Sequence, residues 1–165
     1  IVYGVSAFGL SQQTDLSRGE SKELIETYYE SYPKLREYIA SQINFARDNG
    51  YVETVLGRRR YLRDINSQNA VVRGAAERNA VNAPIQGSAA DIIKIAMISI
   101  QKKIKAENWK SRMLLQVHDE LVFDVLKTEK EGFEKMIKYE MENAFKLSIP
   151  LVVDIGFGND WLEAH

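Results

Sequence analysis

A chain of 165 residues is the size of one ordinary domain, so two full-sized domains are not expected. An apolar fraction of 45% with 27% charged residues excludes disordered, collagen-like and mucin-like chains, and apolar runs of only a few residues fall short of the roughly 20 that a bilayer span needs. The net charge of −1 conceals segregation: 5 basic and 8 acidic side chains over residues 1–53, 11 and 4 over 54–110, and 6 and 11 over 111–165. The positive centre is either a face for a polyanion or a block neutralised by packing against the acidic ends.

Ile1-Val2-Tyr3-Gly4 has neither an initiator methionine nor a polar lead-in, so the chain is expected to be a piece of a longer protein. No basic segment followed by an apolar stretch opens it, and no signal peptide is expected. Ser17-Arg18-Gly19-Glu20 has the form of a capping box, and Leu24, Ile25, Tyr28, Tyr29 and Tyr32 follow at helical spacing. Pro33 suits the first position of a second helix, whose stripe of Leu35, Tyr38, Ile39, Ile43 and Ala46 ends at Asn49-Gly50. Tyr51 to Leu56 and Arg58 to Leu62, joined at Gly57, predict a short β-hairpin.

From about Asn69 to Glu107 the pattern is one long helix, with Ala89, Ile92, Ile93, Ala96, Ile100 and Ile104 on one face and a break or kink expected near Asn82 or Ala83 because of Pro84. Met113 to Val125 reads as a tight antiparallel hairpin with His118-Asp119-Glu120 at its centre. Thr128-Glu129-Lys130-Glu131 predicts a second capping box, opening a helix with Phe133, Met136, Ile137, Met141, Ala144 and Phe145 inward. Leu151 to Phe157 predicts a last strand after Pro150. The order is mostly helical, then β-β-α-β, which gives an α+β fold on a small antiparallel sheet.

Two groups of residues carry chemistry. Asp119 and Glu120, charged beside apolar strands, form either an ordinary exposed turn or part of a divalent-ion site. An Mg²⁺ ion takes one or two protein carboxylates and completes its shell with phosphates and water, so one Asp at a hairpin tip can supply a ligand but not a two-metal site. His118 beside them reads as a positioning hydrogen bonder. In the segment from Arg73 to Gly87, Arg78 and Asn82 stand four apart on one helical face and Gln86 continues their spacing. Such a row suits minor-groove base edges and sugars, where acceptors dominate; the alternative is a hydrogen-bonded helix junction. With no cysteine there is no disulfide or thiolate site, which fits a cytoplasmic location. Walker, HExxH, GxGxxG and Ser-His-Asp patterns are also absent.

Three segments together resemble family A DNA polymerases. They are Tyr3-Gly4 with Ser6-Ala7-Phe8-Gly9-Leu10, Glu77-Arg78 through Asn82-Ala83-Pro84-Ile85-Gln86-Gly87-Ser88-Ala89-Ala90-Asp91, and Gln116-Val117-His118-Asp119-Glu120. The closing Trp161…Ala164-His165 fits as well, so the resemblance covers essentially the whole chain. It implies a carboxyl-terminal fragment of a bacterial repair and replication enzyme, with a fingers portion over 1–66 and a palm portion over 67–165. It further implies that Asp119 is catalytic and binds Mg²⁺, that Glu120 assists, and that Tyr3 lies at the incoming deoxynucleoside triphosphate. Arg73, Arg78, Asn82, Gln86 and His118 would contact the DNA primer-template. The parent would be monomeric and free of membrane.

The departures matter too. The earlier palm motif with its aspartate, the cationic front of the fingers helix and the thumb are not in this chain, and Val72 stands where many relatives have arginine. Two Mg²⁺ ions need carboxylates from both palm motifs, so the piece is expected to be inactive alone. Two other readings stay open: a non-catalytic nucleic-acid-binding module built on the central basic block, and a helical interaction domain in which the acidic hairpin is only a turn.

Overall fold

A computed structural model describes residues 1, 2 and 4–164; Tyr3 and His165 lie outside the described residues. The chain forms two compact units, residues 1–88 and 89–165.

In the first unit Ser6 caps α1 (Ala7–Gln13), its hydroxyl accepting from the Gly9 amide. The predicted capping box opens α2 (Arg18–Ser31): the Ser17 amide donates to Glu20 Oε2 at 2.8 Å and the Glu20 amide donates to Ser17 Oγ at 3.2 Å. Pro33 sits at the start of α3 (Pro33–Asn49), and Gly50 ends that helix at φ 77°, a left-handed conformation that a β-carbon would strain. Strands β1 (Tyr51–Glu53) and β2 (Arg59–Tyr61) then pair antiparallel, Tyr51 opposite Tyr61 and Glu53 opposite Arg59. Ile43 and Ala46 of α3, with Val52, Leu62 and Ile65, close a core against Ala76, Ala80 and Ala83 of α4 (Ala70–Ala106).

Helix α4 runs through Pro84 for 37 residues, so of the kink or break expected near Asn82 or Ala83 the break does not occur. Proline removes one helical donor and presses on the carbonyl four residues back, at a cost of about 3 kcal/mol or more. Here both flanks are held. Ser88 Oγ donates to the Pro84 carbonyl at 2.5 Å and accepts from the Val55 amide at 2.9 Å, while Ala80, Val81, Ala83 and Pro84 are buried. Helix α4 is also long and apolar enough to cross a bilayer, with mean hydropathy 1.2 over its best window, although its uninterrupted apolar runs are short. Its Ile93, Ala96, Ile100 and Ile104 are buried within protein, as a core helix requires.

In the second unit β3 (Arg112–Val117) and β4 (Glu120–Asp124) form the predicted hairpin, with a register shift at Leu114. Ala96, Ile100 and Ile104 pack with Phe133 and Ile137 of α5 (Lys130–Glu142), and the rings of Trp109 and Phe123 meet Phe133 edge-on at 5.5 Å each. A short helix, α6 (Trp161–Ala164), closes the described chain. The architecture is α+β, as the sequence implied.

Two other expectations fail. The capping box at Thr128–Glu131 does not form: residues Lys127–Glu129 make a 3-10 turn, and α5 begins without a side-chain cap. The helix instead starts one residue later, with Glu129 at its N-cap, and the Glu129 carboxylate is anchored outside the helix, accepting from the Lys110 amide (3.0 Å), the Ser111 amide (2.8 Å) and Ser111 Oγ (2.7 Å). Residues 151–157 are extended but form no strand. The Val153 amide donates to Glu142 Oε1 at 3.2 Å instead of to a neighbouring strand, and Val152 is 75% exposed. One extended segment without a partner ladder does not make a sheet.

Ser111 is buried, and its Oγ also accepts from the Leu126 amide at 3.0 Å, so it ties the start of β3 to the end of β4. Ser111→Ala leaves that amide without its partner and is expected to destabilise the protein by about 1–3 kcal/mol in thermal or denaturant unfolding. The Ser111 hydroxyl first, then the Lys110 amide, hold the Glu129 carboxyl below its ordinary 4.5. A depressed folded value means that this stabilisation is present above 4.5 and is lost as pH falls below it. The Ser111→Ala deficit should therefore shrink in acid; an undiminished deficit there would contradict the coupling.

Candidate nucleic-acid and metal interface

The β3–β4 ladder closes at the Val117–Glu120 pair, leaving His118 and Asp119 as a two-residue turn. His118 takes φ 52°, a left-handed conformation that costs a residue with a β-carbon about 1–2 kcal/mol. Gln116 Nε2 donates to the His118 carbonyl at 2.7 Å and so braces the turn from one strand. An aspartate in an ordinary turn bonds a nearby backbone amide. Asp119 does not: its side chain is exposed and makes no hydrogen bond or ion pair among the described residues. Glu120 is half-buried at the first position of β4, and His118 is exposed. The hairpin thus presents one uncommitted carboxylate to solvent with a second beside it in sequence.

Carboxylate oxygens are the donors that Mg²⁺ prefers, and an ion with waters and phosphates in its shell needs only one or two of them. Among the described residues no group of three or more His, Cys, Asp or Glu side chains is placed to hold a metal. The exposed Asp119 carboxylate can therefore supply part of a divalent-ion shell, with Glu120 next to it in sequence, but not a whole one.

On the first unit, the continuity of α4 decides a point that the spacing left open. Arg78, Asn82 and Gln86 lie at i, i+4 and i+8 of one unbroken helix, in a row about 12 Å long. Arg78 and Gln86 are exposed and Asn82 is half-buried between them. A methyl group built on Gly4 would stand 3.4 Å from Arg78 Cγ, so the start of the chain lies along the Arg78 stem. That contact had no signal in the sequence, being long-range. The expectation for Tyr3, next to Gly4, lies outside the described residues. Arg73 is not in the row, lying roughly 140° around the helix from Arg78. Its Nη1 donates to the Ser67 carbonyl at 2.9 Å, and its Nε is 3.8 Å from a Glu77 carboxylate that also holds Arg47 at 2.6 Å.

The family model described as DNA polymerase family A matches residues 1–163. The chain is 50% identical over 163 residues to DNA polymerase I of Caldicellulosiruptor bescii and 51% identical over 164 residues to DNA polymerase I of Streptococcus pneumoniae serotype 4. In each case the match covers 99% of this chain and 19% of the relative, so the chain spans about a fifth of their length. Among solved structures, the POL domain of Pol1 from M. smegmatis, in complex with DNA primer-template and dNTP, superimposes with a TM-score of 0.95 at 49% identity. That match covers 99% of this chain and 29% of the other.

If the left-handed His118 is a strained position, His118→Gly should be more stable than His118→Ala by about 1 kcal/mol in equilibrium unfolding, because only glycine relieves the β-carbon contact. A glycine variant less stable than the alanine variant would show that the turn carries no such strain.

Proposed function

The chain belongs to DNA polymerase family A, and on that premise we propose that it is the carboxyl-terminal fingers and palm portion of a template-directed DNA polymerase. In this reading residues 1–66 belong to the fingers and 67–165 to the palm. The complete enzyme adds deoxynucleotides to a primer 3′-hydroxyl. The observation that carries the proposal is the Asp119 carboxylate, exposed at a braced turn and bonded to nothing among the described residues.

Asp119, with Glu120 beside it, would hold Mg²⁺, whose chemistry when bound is to acidify the 3′-hydroxyl and to screen charge on the α-phosphate and the departing pyrophosphate. His118, one residue before Asp119, positions the primer terminus. Arg78, Asn82 and Gln86 face the minor groove, where acceptors recur at similar places in every correct base pair. Contacts of that kind sense pairing geometry while ignoring sequence, as a copying enzyme requires. Asn82 and Gln86 carry both donor and acceptor atoms, and Arg78 adds a fixed cation, so the row needs no carboxylate that would repel phosphate. Arg73, engaged by Ser67 and near Glu77 on another face of α4, would meet the primer-template apart from the row.

A two-ion clamp needs carboxylates beyond Asp119 and Glu120, so this segment alone does not polymerise. Expected outcomes follow from both statements. In the complete polypeptide, Asp119→Ala lowers primer extension by on the order of a thousandfold, the scale of losing one charge-stabilising group, and leaves duplex affinity within about twofold. The purified 165-residue chain gives no extension. Near-normal extension by Asp119→Ala, or extension by the isolated chain with contaminating polymerase excluded, would contradict the assignment.

A further inference from the structure

The row on α4 uses one cation of the basic central block, whereas four arginines lie within residues 58–63. Two of them are committed to the fold. Arg58 Nη2 donates to the Gly87 carbonyl at 3.1 Å, and Arg59 Nε donates to Glu53 Oε1 at 2.7 Å with its guanidinium 4.4 Å from the centre of the Tyr51 ring. Arg60 and Arg63 are exposed and make no hydrogen bond or ion pair among the described residues. Two cations uncompensated on a stiff hairpin form a standing positive potential.

An aromatic surface adjoins them. Tyr51 and Tyr61 are paired across the hairpin with ring centres 5.8 Å apart, and Phe45 of α3 meets Tyr51 at 5.7 Å. Tyr61 is 68% exposed, far more than packing on Tyr51 requires. Beside it opens a groove of about 510 Å³ lined by Gly50, Tyr61, Leu62, Arg63, Ile65 and Asn66. An exposed ring and a free cation at one groove match a base face and a phosphate, while the Asn66 amide is committed to the Arg47 carbonyl at 3.1 Å.

The placement gives direction. The turn end of the hairpin is seated on α4 beside Gln86: the Val55 amide donates to Ser88 Oγ, and a methyl group on Gly87 would stand 2.6 Å from Thr54 Cγ2. From Gly57 at that end to Tyr61 is about 13 Å of strand. A nucleic-acid strand leaving the α4 row toward the open end of the hairpin therefore reaches Tyr61 and Arg63 at the groove. We propose that this open end of the hairpin is a second nucleic-acid contact that takes the unpaired, single-stranded part of a template, with a base stacked on Tyr61 and a phosphate neutralised by Arg63. Bases inside a duplex hide their faces, so only a single strand can use the exposed ring. This proposal rests on reading the α4 row as facing primer-template.

The test uses the complete polypeptide and two probes, a blunt DNA duplex and the same duplex with an oligothymidine 5′ overhang. The combined variant Tyr61→Ala, Arg63→Glu should bind the overhang duplex about tenfold more weakly than the wild type while binding the blunt duplex equally well. The slope of log affinity against log salt on the overhang should shrink by about one unit, and Arg63→Lys alone should keep both affinity and slope. Both side chains are exposed, so melting temperatures should match the wild type. Unchanged overhang binding, or an equal loss on both probes, overturns the proposal. A wild type that binds neither probe refutes the polymerase reading itself, and this contact with it.

Discussion

Asp119 can serve a cation only because the turn that carries it is held together by groups other than its own carboxylate. A two-residue hairpin whose aspartate bonded the neighbouring amides would be stable and chemically silent. Here the ladder from Arg112 to Val117 against Glu120 to Asp124, the Gln116 amide on the His118 carbonyl, and Ser111 and Glu129 at the far end together fix the backbone. His118 accepts a left-handed conformation in the process. Strain of that kind persists where the surroundings over-determine the backbone, and its position next to the proposed ligand is where a functional role would put it.

Helix α4 supplies the second constraint. Its two halves serve different cores, Ala76, Ala80 and Ala83 in the first and Ala96, Ile100 and Ile104 in the second, and the first half also carries the Arg78, Asn82, Gln86 row. The row is straight in register only because Pro84 does not end the helix. Ser88 matters here, since its hydroxyl bonds the Pro84 carbonyl and the Val55 amide at once and so couples helix continuity to the β1–β2 hairpin. The charge segregation of the sequence has a physical counterpart in that unit. Arg58 and Arg59 are absorbed by Gly87 and Glu53, and Arg47 and Arg73 gather at Glu77, so the surplus cations are a subset of those the composition counts.

Local signals were legible in the sequence and long-range ones were not. The Ser17 box, Pro33, Gly50, the Gly57 hairpin and the His118-Asp119 turn all depend on residues within a few positions of one another, and all formed as read. The errors share one cause. The Thr128–Glu131 box is lost where Glu129 bonds Ser111, eighteen positions away, and the chain winds into a 3-10 turn; the Val153 amide looked like a strand donor until Glu142 took it. Of the kink or break read at Pro84 the break is absent, and the Val55 amide that holds Ser88 beside the Pro84 carbonyl comes from far away in the chain. At the candidate site, Asp119, His118 and the α4 row were singled out from motif and spacing, whereas the Gly4 contact with Arg78 and the groove at Tyr61 needed coordinates. Arg73 matched a motif, yet its guanidinium is engaged by Ser67.

The central claim is that the Asp119 carboxylate is open to solvent in order to hold a divalent ion. Its most direct test is paramagnetic broadening by Mn²⁺ of backbone amide signals in the complete polypeptide with primer-template bound. The account predicts that the strongest broadening on this segment falls on His118, Asp119 and Glu120 and disappears there in Asp119→Asn. Broadening centred on other residues, or unchanged in that variant, would contradict it.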